Sequence, residues 1–357
     1  MRIVLISTPI GFLGSGKGGG VELTLNSLVT GLLSLGHCVD VVAPKNSKLF
    51  DINKEAKLHC VEGVEQVSWQ HTDYYSPAMI PDNSLLLGML EKAIDIGKKA
   101  DILLNFSYDW LPIWMTLNLN IPIAHLISMG SESSVISNLI SKVYIKYPYN
   151  FAFHSNTQAC DYPFIKTPII VGNGFELKNY IFQGNKDGPL AWVGRVAPEK
   201  GLEDAAYVAN KLGEKLNVWG IIQDESYASK VEQSCTSGSI DWKGFLETDK
   251  LQKELGKCRA LLNTPKWNEA YGNVIVEALA CGVPVIGYKR GGPSEIIQHG
   301  ETGFLVEPND KDSLLTYLQI INKINRRDCR DWVEKNASTN IFANRVVKWL
   351  TKVIKEN

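Results

Sequence analysis

The stretch ALLNTPKWNEAYGNVIVEALACGVPVIGY, residues 260–288, predicts a strand, a loop, a short helix and a second strand. Its first apolar run ends at Asn-Thr-Pro, and a helical pattern of small apolar residues begins near Gly272-Asn273 and leads into Val-Pro-Val-Ile. Short, continuously apolar strands that alternate with helices are typical of parallel sheets covered by helices. The stretch therefore predicts one β-α-β unit.

The same alternation extends along the chain on both sides of this unit. Apolar runs such as RIVLIS and DILLNFS in the first half, and PLAWVGR and NVWGII in the second, are each followed by a longer amphipathic stretch. The length of 357 residues suits two domains. We predict an α/β protein with two Rossmann-like domains, whose parallel sheets face a central cleft at the carboxyl ends of their strands.

Turn-forming and polar residues in TPIIVGNGFELKNY, residues 167–180, mark the expected domain boundary. We place the first domain at residues 1–172 and the second at 173–335. The last segment, 336–357, is expected to form a helix that packs back on the first domain.

Composition excludes several classes of protein. Lys+Arg (37) and Asp+Glu (38) nearly cancel, which gives no electrostatic reason to expect a nucleic-acid partner. The cysteines form no C-x-x-C motif, so we expect neither a disulfide framework nor a zinc site, and we predict a cytoplasmic location. The amino terminus is interpreted as a first strand, not a signal peptide. No apolar stretch approaches the roughly 20 residues of a membrane-spanning helix.

A glycine-rich loop, GFLGSGKGGGVELT, follows the first strand at residues 11–24. It fails as a P-loop because Gly18 stands where Ser or Thr would hold magnesium. It fails as a dinucleotide fingerprint because the second strand ends in VVAP, without an acid for a ribose. Such a loop either exposes N–H groups to a ligand at a helix start or only needs positive φ angles. We favour ligand contact.

Charged residues follow the predicted strands of the second domain. Arg195 and Lys200 in VGRVAPEKG suit a diphosphate, which an arginine binds in bidentate fashion and a lysine as a point charge. Glu269 precedes the predicted helix and Glu277 lies within it, so the two carboxylates form no same-face pair. Glu269 suits hydroxyls of a transferred sugar and Glu277 those of a ribose; alternatively, Glu277 is simply an exposed helix residue.

VGRVAPEKG, EAYGNVIVEALACGVPVI and GGPSEIIQHGETGFLV together resemble the retaining glycosyltransferases of the GT-B fold, in the family-4 group. Glu269 and Glu277 match the E-x7-E motif of that family. The resemblance implies a nucleotide-diphosphate-sugar donor held mainly by the second domain and an acceptor held mainly by the first. It also implies metal-independent transfer with retention at the anomeric carbon, without a cofactor. Asp310-Lys-Asp312 is interpreted as an acidic helix start and not as a metal motif.

The resemblance assigns roles to individual residues. Arg195 and Lys200 would stabilise the leaving diphosphate, and Glu269 would bind the transferred sugar and support an oxocarbenium-like transition state. His125, expected at the carboxyl end of a strand, would hydrogen-bond the same sugar. The other expected donor-binding residues are Gly16, Gly18, Gly19 and Gly20 for the phosphate or sugar, Gly244, Phe245 and Leu246 for the nucleobase, Tyr271, Gly272, Asn273 and Val274 at the helix start, and Glu277 for the ribose.

STPIGFLGSGKGGGVELTL, NFSYDWLPIW and PIAHLISMGS in the first domain resemble the pteridine glucosyltransferases, which transfer glucose from UDP-glucose to tetrahydrobiopterin. The aromatic residues of this region would stack on a planar heterocycle, unless they are core packing; they are Phe106, Tyr108, Trp110 and Trp114. Asp109 would bind a 2-amino-pyrimidinone edge.

Transfer of glucose from UDP-glucose to a reduced pterin such as tetrahydrobiopterin is therefore the expected function. The alternative enzyme transfers from UDP-glucose or GDP-mannose to a cell-envelope lipid or polysaccharide. Two other classes are less favoured. The presence of Glu269, Arg195 and Lys200 argues against a sugar-nucleotide-binding protein that has lost turnover, and an NAD-dependent oxidoreductase needs the missing acid of the second strand.

Overall fold

The computed structural model describes residues 1–15 and 19–357, so the predicted donor-binding residues Gly16 and Gly18 lie outside the described residues. The chain divides into two compact units. The first contains Met1–Phe175 and Thr339–Asn357, and the second contains Glu176–Ser338.

The first unit is built on a sheet of seven parallel strands in the order β3-β2-β1-β4-β5-β6-β7. The strands are β1 (Arg2–Ile6), β2 (Cys38–Pro44), β3 (Lys57–Val61), β4 (Ile102–Asn105), β5 (Ile123–Ile127), β6 (Phe151–Phe153) and β7 (Ile169–Ile170). The helices are α1 (Gly20–Ser34), α2 (Leu85–Gly97), α3 (Trp110–Met115), α4 (Ser134–Lys146) and α5 (Asn156–Ala159), with short 3₁₀ helices at Asp51–Asn53 and Trp69–His71.

Helices cover both faces of this sheet. Ile3 and Leu5 of β1 belong to the same buried cluster as the apolar side chains of α1. Val4 and Ile6 of the same strand belong to a second cluster that contains the apolar side chains of α2. Successive side chains of a strand point to opposite faces, so both faces of β1 are buried and its sequence is apolar from Ile3 to Ile6.

The second unit is built on a sheet of six parallel strands in the order β10-β9-β8-β11-β12-β13. The strands are β8 (Leu190–Val193), β9 (Leu216–Trp219), β10 (Ile240–Gly244), β11 (Ala260–Asn263), β12 (Val285–Tyr288) and β13 (Gly303–Val306). The helices are α6 (Leu202–Lys211), α7 (Glu225–Gln233), α8 (Thr248–Leu255), α9 (Asn273–Ala280), α10 (Pro293–Ile296), α11 (Lys311–Ile320) and α12 (Arg326–Asn336), with 3₁₀ helices at Leu177–Asn179, Pro198–Lys200 and Ile321–Lys323.

The predicted β-α-β unit at residues 260–288 is confirmed as β11, α9 and β12. The prediction of two parallel-sheet α/β units is confirmed as well. In each sheet the strand order reverses once, between β1 and β4 in the first and between β8 and β11 in the second. Ligands of open α/β sheets bind beyond the carboxyl ends of the strands at such a reversal.

The last helix, α13 (Thr339–Glu356), belongs to the first unit. Its apolar face packs on α1, where a Cβ added to Gly31 would lie only 2.5 Å from the Cβ of Ala343. Polar contacts flank this packing: Ser27 Oγ lies 3.0 Å from Thr339 Oγ1, and Trp349 Nε1 donates to the carbonyl of Tyr149 at 2.7 Å. The helix therefore completes the core of the first unit.

Candidate functional site

The reversal of strand order in the second unit brings together residues that are far apart in the sequence. Arg195 and Lys200 follow β8, and Glu269 follows the neighbouring strand β11. Lys200 Nζ donates to Glu269 Oε1 at 2.6 Å, and each of these side chains keeps 18% of its surface exposed. A cation and a carboxylate thus meet at the carboxyl edge of the sheet, where the fold favours a ligand.

Glu269 is held through one of its two carboxylate oxygens. Besides Lys200, the indole Nε1 of Trp267 donates to Oε1, at 2.8 Å. Trp267 also places its ring 4.5 Å from Lys200 Nζ, in cation–π contact. Within residues 1–15 and 19–357, no group donates to Oε2. This second oxygen remains able to accept a hydrogen bond from a ligand.

Arg195 contacts a different carboxylate from Lys200. Its guanidinium donates to Gln223 Oε1 at 2.7 Å and lies 3.4 Å from Glu199 Oε1. More than a third of the Arg195 side chain is exposed. Both predicted cations therefore follow β8 at the same sheet edge, each beside a partner that an incoming phosphate would have to replace.

Two glycines support the backbone around Glu269. The N–H of Gly292 donates to the carbonyl of Glu269 at 2.7 Å, and Glu269 forms an isolated parallel bridge with Gly291. A Cβ on Gly292 would lie 2.1 Å from the carbonyl oxygen of Tyr271. The GGPSE segment therefore packs directly against the loop that carries Glu269.

Glu277 lies in the second turn of α9 and is buried, with 7% of its surface exposed. The alternative that it is an exposed helix residue is therefore wrong. Tyr180 donates its hydroxyl to Glu277 Oε1 at 3.2 Å. Burial raises the pKa of Glu277 to about 7, and the hydrogen bond from Tyr180 only partly opposes this effect. A role in binding a ribose stays a prediction.

We expect the substitution Glu277→Gln to stabilise the protein above pH 7 and to have little effect at pH 5. The folded-state pKa of Glu277 is about 7, above the value of 4.5 for an unfolded chain, so the native protein loses stability as pH rises through this window. Glutamine avoids the buried charge, with a gain of up to about 3 kcal/mol at pH 8. Melting temperatures at pH 5 and pH 8 test this. The exposed Glu301→Gln serves as control, and equal shifts at both pH values would contradict the assignment.

The remaining predicted donor-binding residues of the second unit also follow strands. Gly244, the last residue of β10, is followed by Phe245 and Leu246, and 58% of the Phe245 surface is exposed. This loop lies two strands from β8 in the sheet order. At the start of α9, Gly272 has a φ of 109°, a backbone conformation that favours glycine. Tyr271, Asn273 and Val274 are all partly exposed there.

In the first unit, Glu22 was missed as a partner of the glycine-rich loop. Its carboxylate accepts a hydrogen bond from Gly14 N–H at 2.7 Å and one from Ser15 Oγ at 3.1 Å. Gly19 and Gly20 lie at the start of α1. The signal was an acidic residue in the first turn of the helix, where the helix dipole favours negative charge. Part of the loop is thus tied to a carboxylate of the protein itself.

His125 requires a correction. It is the middle residue of β5, not a residue at the carboxyl end of the strand, and it is fully buried. Asn105 Nδ2 lies 3.1 Å from its Nδ1, and Thr116 Oγ1 lies 2.8 Å from its Nε2. Burial lowers the pKa of His125 to about 3, so the ring is neutral. Both ring nitrogens are engaged within the protein, so His125 is a core residue in this structure.

Asp109 requires a correction as well. It caps α3 by accepting a hydrogen bond from Leu111 N–H on Oδ1, at 3.1 Å. Its other oxygen, Oδ2, accepts from Gln66 Nε2 at 3.1 Å and from Trp69 Nε1 at 3.0 Å. The residue is buried, which raises the pKa of its carboxyl group. Asp109 holds the segment around Trp69 in place, and both of its carboxylate oxygens are hydrogen-bonded within the protein.

The predicted aromatic cluster divides into core residues and accessible ones. Phe106 and Tyr108 are buried, and the Tyr108 hydroxyl accepts a hydrogen bond from Glu132 N–H at 3.1 Å. Trp110 is only half-buried, and its indole N–H finds no acceptor within the described part of the chain. Trp114 keeps 47% of its surface exposed. Only the two tryptophans are thus suited to contact a ligand.

The described ranges 1–15 and 19–357 hold neither a cluster of metal ligands nor a membrane-spanning helix. They contain no group of three or more His, Cys, Asp or Glu side chains arranged to hold a metal ion. Asp310 caps α11 by accepting from Ser313 N–H at 3.0 Å, as expected for an acidic helix start. No helix in these ranges has the length and apolar character needed to span a membrane.

Residues 178–339 match the family model described as "Glycosyl transferases group 1". The sulfoquinovosyl transferase SQD2 of Arabidopsis thaliana is 31% identical over 166 residues, which are 45% of this chain and 32% of that protein. The chain spans about a third of the length of the first curated relatives that it matches. The second unit therefore has the sequence pattern of the group 1 glycosyl transferases.

Solved structures match the whole chain. Sucrose-phosphate synthase from Thermosynechococcus elongatus has a TM-score of 0.77 and 17% identity, and the match covers 100% of both chains. The Anabaena protein HepE, solved in complex with UDP-glucose, has a TM-score of 0.72 and 15% identity, with 99% of this chain and 100% of that chain covered. The chain has the GT-B fold of glycosyltransferases.

Proposed function

We propose that the protein is a glycosyltransferase that moves a hexose from a nucleoside-diphosphate sugar to a small acceptor. The observation that carries this proposal is the arrangement of Lys200 and Glu269 at the strand-order reversal of the second unit. Glu269 presents one oxygen that has no donor among residues 1–15 and 19–357, beside a cation suited to a diphosphate. The family match of the same unit supports the same activity.

Lys200 and Arg195 act on the leaving group in this proposal. As the bond to the sugar breaks, negative charge develops on the diphosphate, and fixed cations stabilise it in a partly desolvated site. Glu269 Oε2 accepts a hydrogen bond from a sugar hydroxyl, and its negative charge stabilises the developing oxocarbenium character. We propose transfer with retention at the anomeric carbon and without a metal ion.

UDP-glucose is the proposed donor. The solved complex of HepE with UDP-glucose shares the fold over the whole chain, which makes this donor the first to test. The exposed ring of Phe245, next to β10, is suited to stack on a nucleobase. Glu277, whose carboxyl group is buried beside Tyr180, is the proposed partner of the ribose.

A reduced pterin is the proposed acceptor, held by the first unit. The support is the indole N–H of Trp110, a buried donor that lacks an acceptor within the described residues, and the exposed ring of Trp114. A pterin offers ring nitrogens and a carbonyl as hydrogen-bond acceptors, and a flat face for stacking. Tyr108 and Asp109 contribute only by holding this region in shape.

Nucleotide release tests the proposed function. The purified protein is incubated with UDP-glucose or GDP-mannose, with and without tetrahydrobiopterin, and the released nucleoside diphosphate is measured. We expect UDP release that requires both UDP-glucose and the pterin. If UDP-glucose binds but the pterin does not stimulate UDP release, the result would favour a lipid or polysaccharide acceptor over a pterin. If no sugar nucleotide binds, the proposed function is wrong.

The substitution Trp110→Phe is expected to raise the KM for the pterin about tenfold, with little change in the KM for UDP-glucose. Phenylalanine keeps an aromatic ring but removes the N–H, and a hydrogen bond is worth about 1 kcal/mol or more when its loss leaves a buried partner unsatisfied. Steady-state kinetics with each substrate varied in turn measure the effect. Trp332→Phe, in α12 of the second unit, is the matched control. An unchanged pterin KM would remove Trp110 from the acceptor site.

A further inference from the structure

Trp267 contacts both charged members of the candidate site at once. The edge of its indole donates to Glu269 Oε1 at 2.8 Å, and the face of its ring lies 4.5 Å from Lys200 Nζ. Lys200 donates to the same carboxylate oxygen at 2.6 Å. The three side chains thus form a closed triangle in which each member contacts the other two.

Backbone contacts fix the two segments that carry this triangle. Thr264 Oγ1 donates to the carbonyl of Gly201 at 2.7 Å, and Lys266 N–H donates to the carbonyl of Glu199 at 2.8 Å. A Cβ on Gly201 would lie 1.9 Å from the carbonyl oxygen of Thr264, so the segments touch without room for a side chain. The loop before α9 and the turn after β8 are therefore set in position together.

A diphosphate ligand would disturb this triangle. It carries more negative charge than a carboxylate and competes with Glu269 for the ammonium group of Lys200. If Lys200 turns to the phosphate, the carboxylate loses its shorter hydrogen bond. The Trp267 indole carries no net charge, so the phosphate does not attract it in the same way.

We propose that Trp267 is a positioning residue that keeps Glu269 oriented while Lys200 binds the diphosphate. This inference rests on the proposed function. The indole N–H keeps its hydrogen bond to Glu269 Oε1, and this leaves Oε2 directed to the sugar throughout the reaction. Trp267 could not be inferred from the sequence, because its contact with Lys200 joins two segments that are distant in the chain.

Two substitutions separate the functions of the edge and the face of the indole. Trp267→Phe keeps an aromatic face for Lys200 but removes the N–H, and Trp267→Leu removes both. For Trp267→Phe we expect kcat with UDP-glucose to fall about ten- to a hundredfold, the usual range for a hydrogen bond to a charged group, while the donor KM stays within about threefold. For Trp267→Leu we expect the same fall in kcat and, in addition, a higher donor KM, because Lys200 loses its cation–π partner.

A double substitution tests whether Trp267 acts through Glu269. With Glu269→Ala in place, the indole has no carboxylate to orient, so adding Trp267→Phe should cause no further loss of nucleotide release. Trp332→Phe, with wild-type kinetics, is the control for loss of an indole in the same unit. Melting temperatures of all variants show whether a loss comes from unfolding.

The outcomes distinguish this inference from the proposed function. If the wild-type protein releases nucleotide and Trp267→Phe has the same kcat, the inference about Trp267 is wrong but the proposed function stands. The same holds if Trp267→Phe causes a full additional loss in the Glu269→Ala protein, or if kcat falls only together with a large drop in melting temperature. If the wild-type protein releases no nucleotide from any sugar nucleotide, both fail.

Discussion

Replacing Glu269 by glutamine is expected to reduce turnover about a hundred- to a thousandfold while the protein stays folded. Glutamine has the shape of glutamate, and its carbonyl oxygen still accepts the hydrogen bonds that Lys200 and Trp267 donate to Oε1. What is lost is the acceptor at Oε2, which becomes an amide NH2, and the negative charge beside the sugar. This charge is needed most when positive charge develops at the anomeric carbon. The loss is therefore expected in kcat and not in the binding of UDP.

Calorimetric titration with UDP, and UDP release from UDP-glucose, measure these two quantities separately. Glu254→Gln is the matched control, because Glu254 is an exposed residue of α8 whose charge pairs with Lys257 at 2.6 Å. This variant should keep wild-type kinetics. Turnover of Glu269→Gln within about threefold of the wild type would remove Glu269 from the catalytic role.

The substitution Gly292→Ala is expected to have an effect of similar size, for a steric reason. Gly292 has a φ of −52°, which alanine adopts without strain. The added methyl group, however, would lie 2.1 Å from the carbonyl oxygen of Tyr271 and 2.5 Å from its Cα. Backbone atoms cannot rotate aside as a side chain can, so the loop carrying Glu269 must shift. A displacement of about 1 Å in a catalytic group costs about a hundredfold in rate.

Gly184→Ala is the control for this experiment. An added Cβ at Gly184 meets only a ring atom of Phe182, at 3.8 Å, which is an ordinary contact. We expect Gly292→Ala to lower both kcat and the melting temperature, and Gly184→Ala to change neither. Wild-type turnover in Gly292→Ala would show that the position of the Glu269 loop does not control the reaction.

The sequence predicted those parts of the site that depend on strand ends. Arg195, Lys200 and Glu269 each follow an apolar run, and parallel strands direct their carboxyl ends to one sheet edge, so their position at that edge could be predicted from the sequence alone. Trp267 could not be found in this way. Its contact with Lys200 depends on the side-chain conformation of an aromatic residue, about which the spacing of residues says nothing.

The two corrections in the first unit have different causes. His125 is followed by Leu-Ile, so the apolar run continues past it, and the strand ends later than predicted. In SYDWLPIW, an aspartate shortly before a proline is a recognisable helix start, where a carboxylate usually binds the backbone of the first turn. That local signal was available, and it competes directly with a role in binding a pterin.

The position of α13 has a consequence for biosynthesis. Because this helix belongs to the first unit, the second unit is an insertion within the first in terms of chain order. A ribosome makes Phe342, Val346 and Trp349 only after the second unit, and these side chains fill the core that α1 lines. During translation, the whole second unit is therefore synthesised before the sequence of the first unit is complete. A nascent chain that stops after residue 338 would expose the apolar face of α1, a surface suited to chaperones.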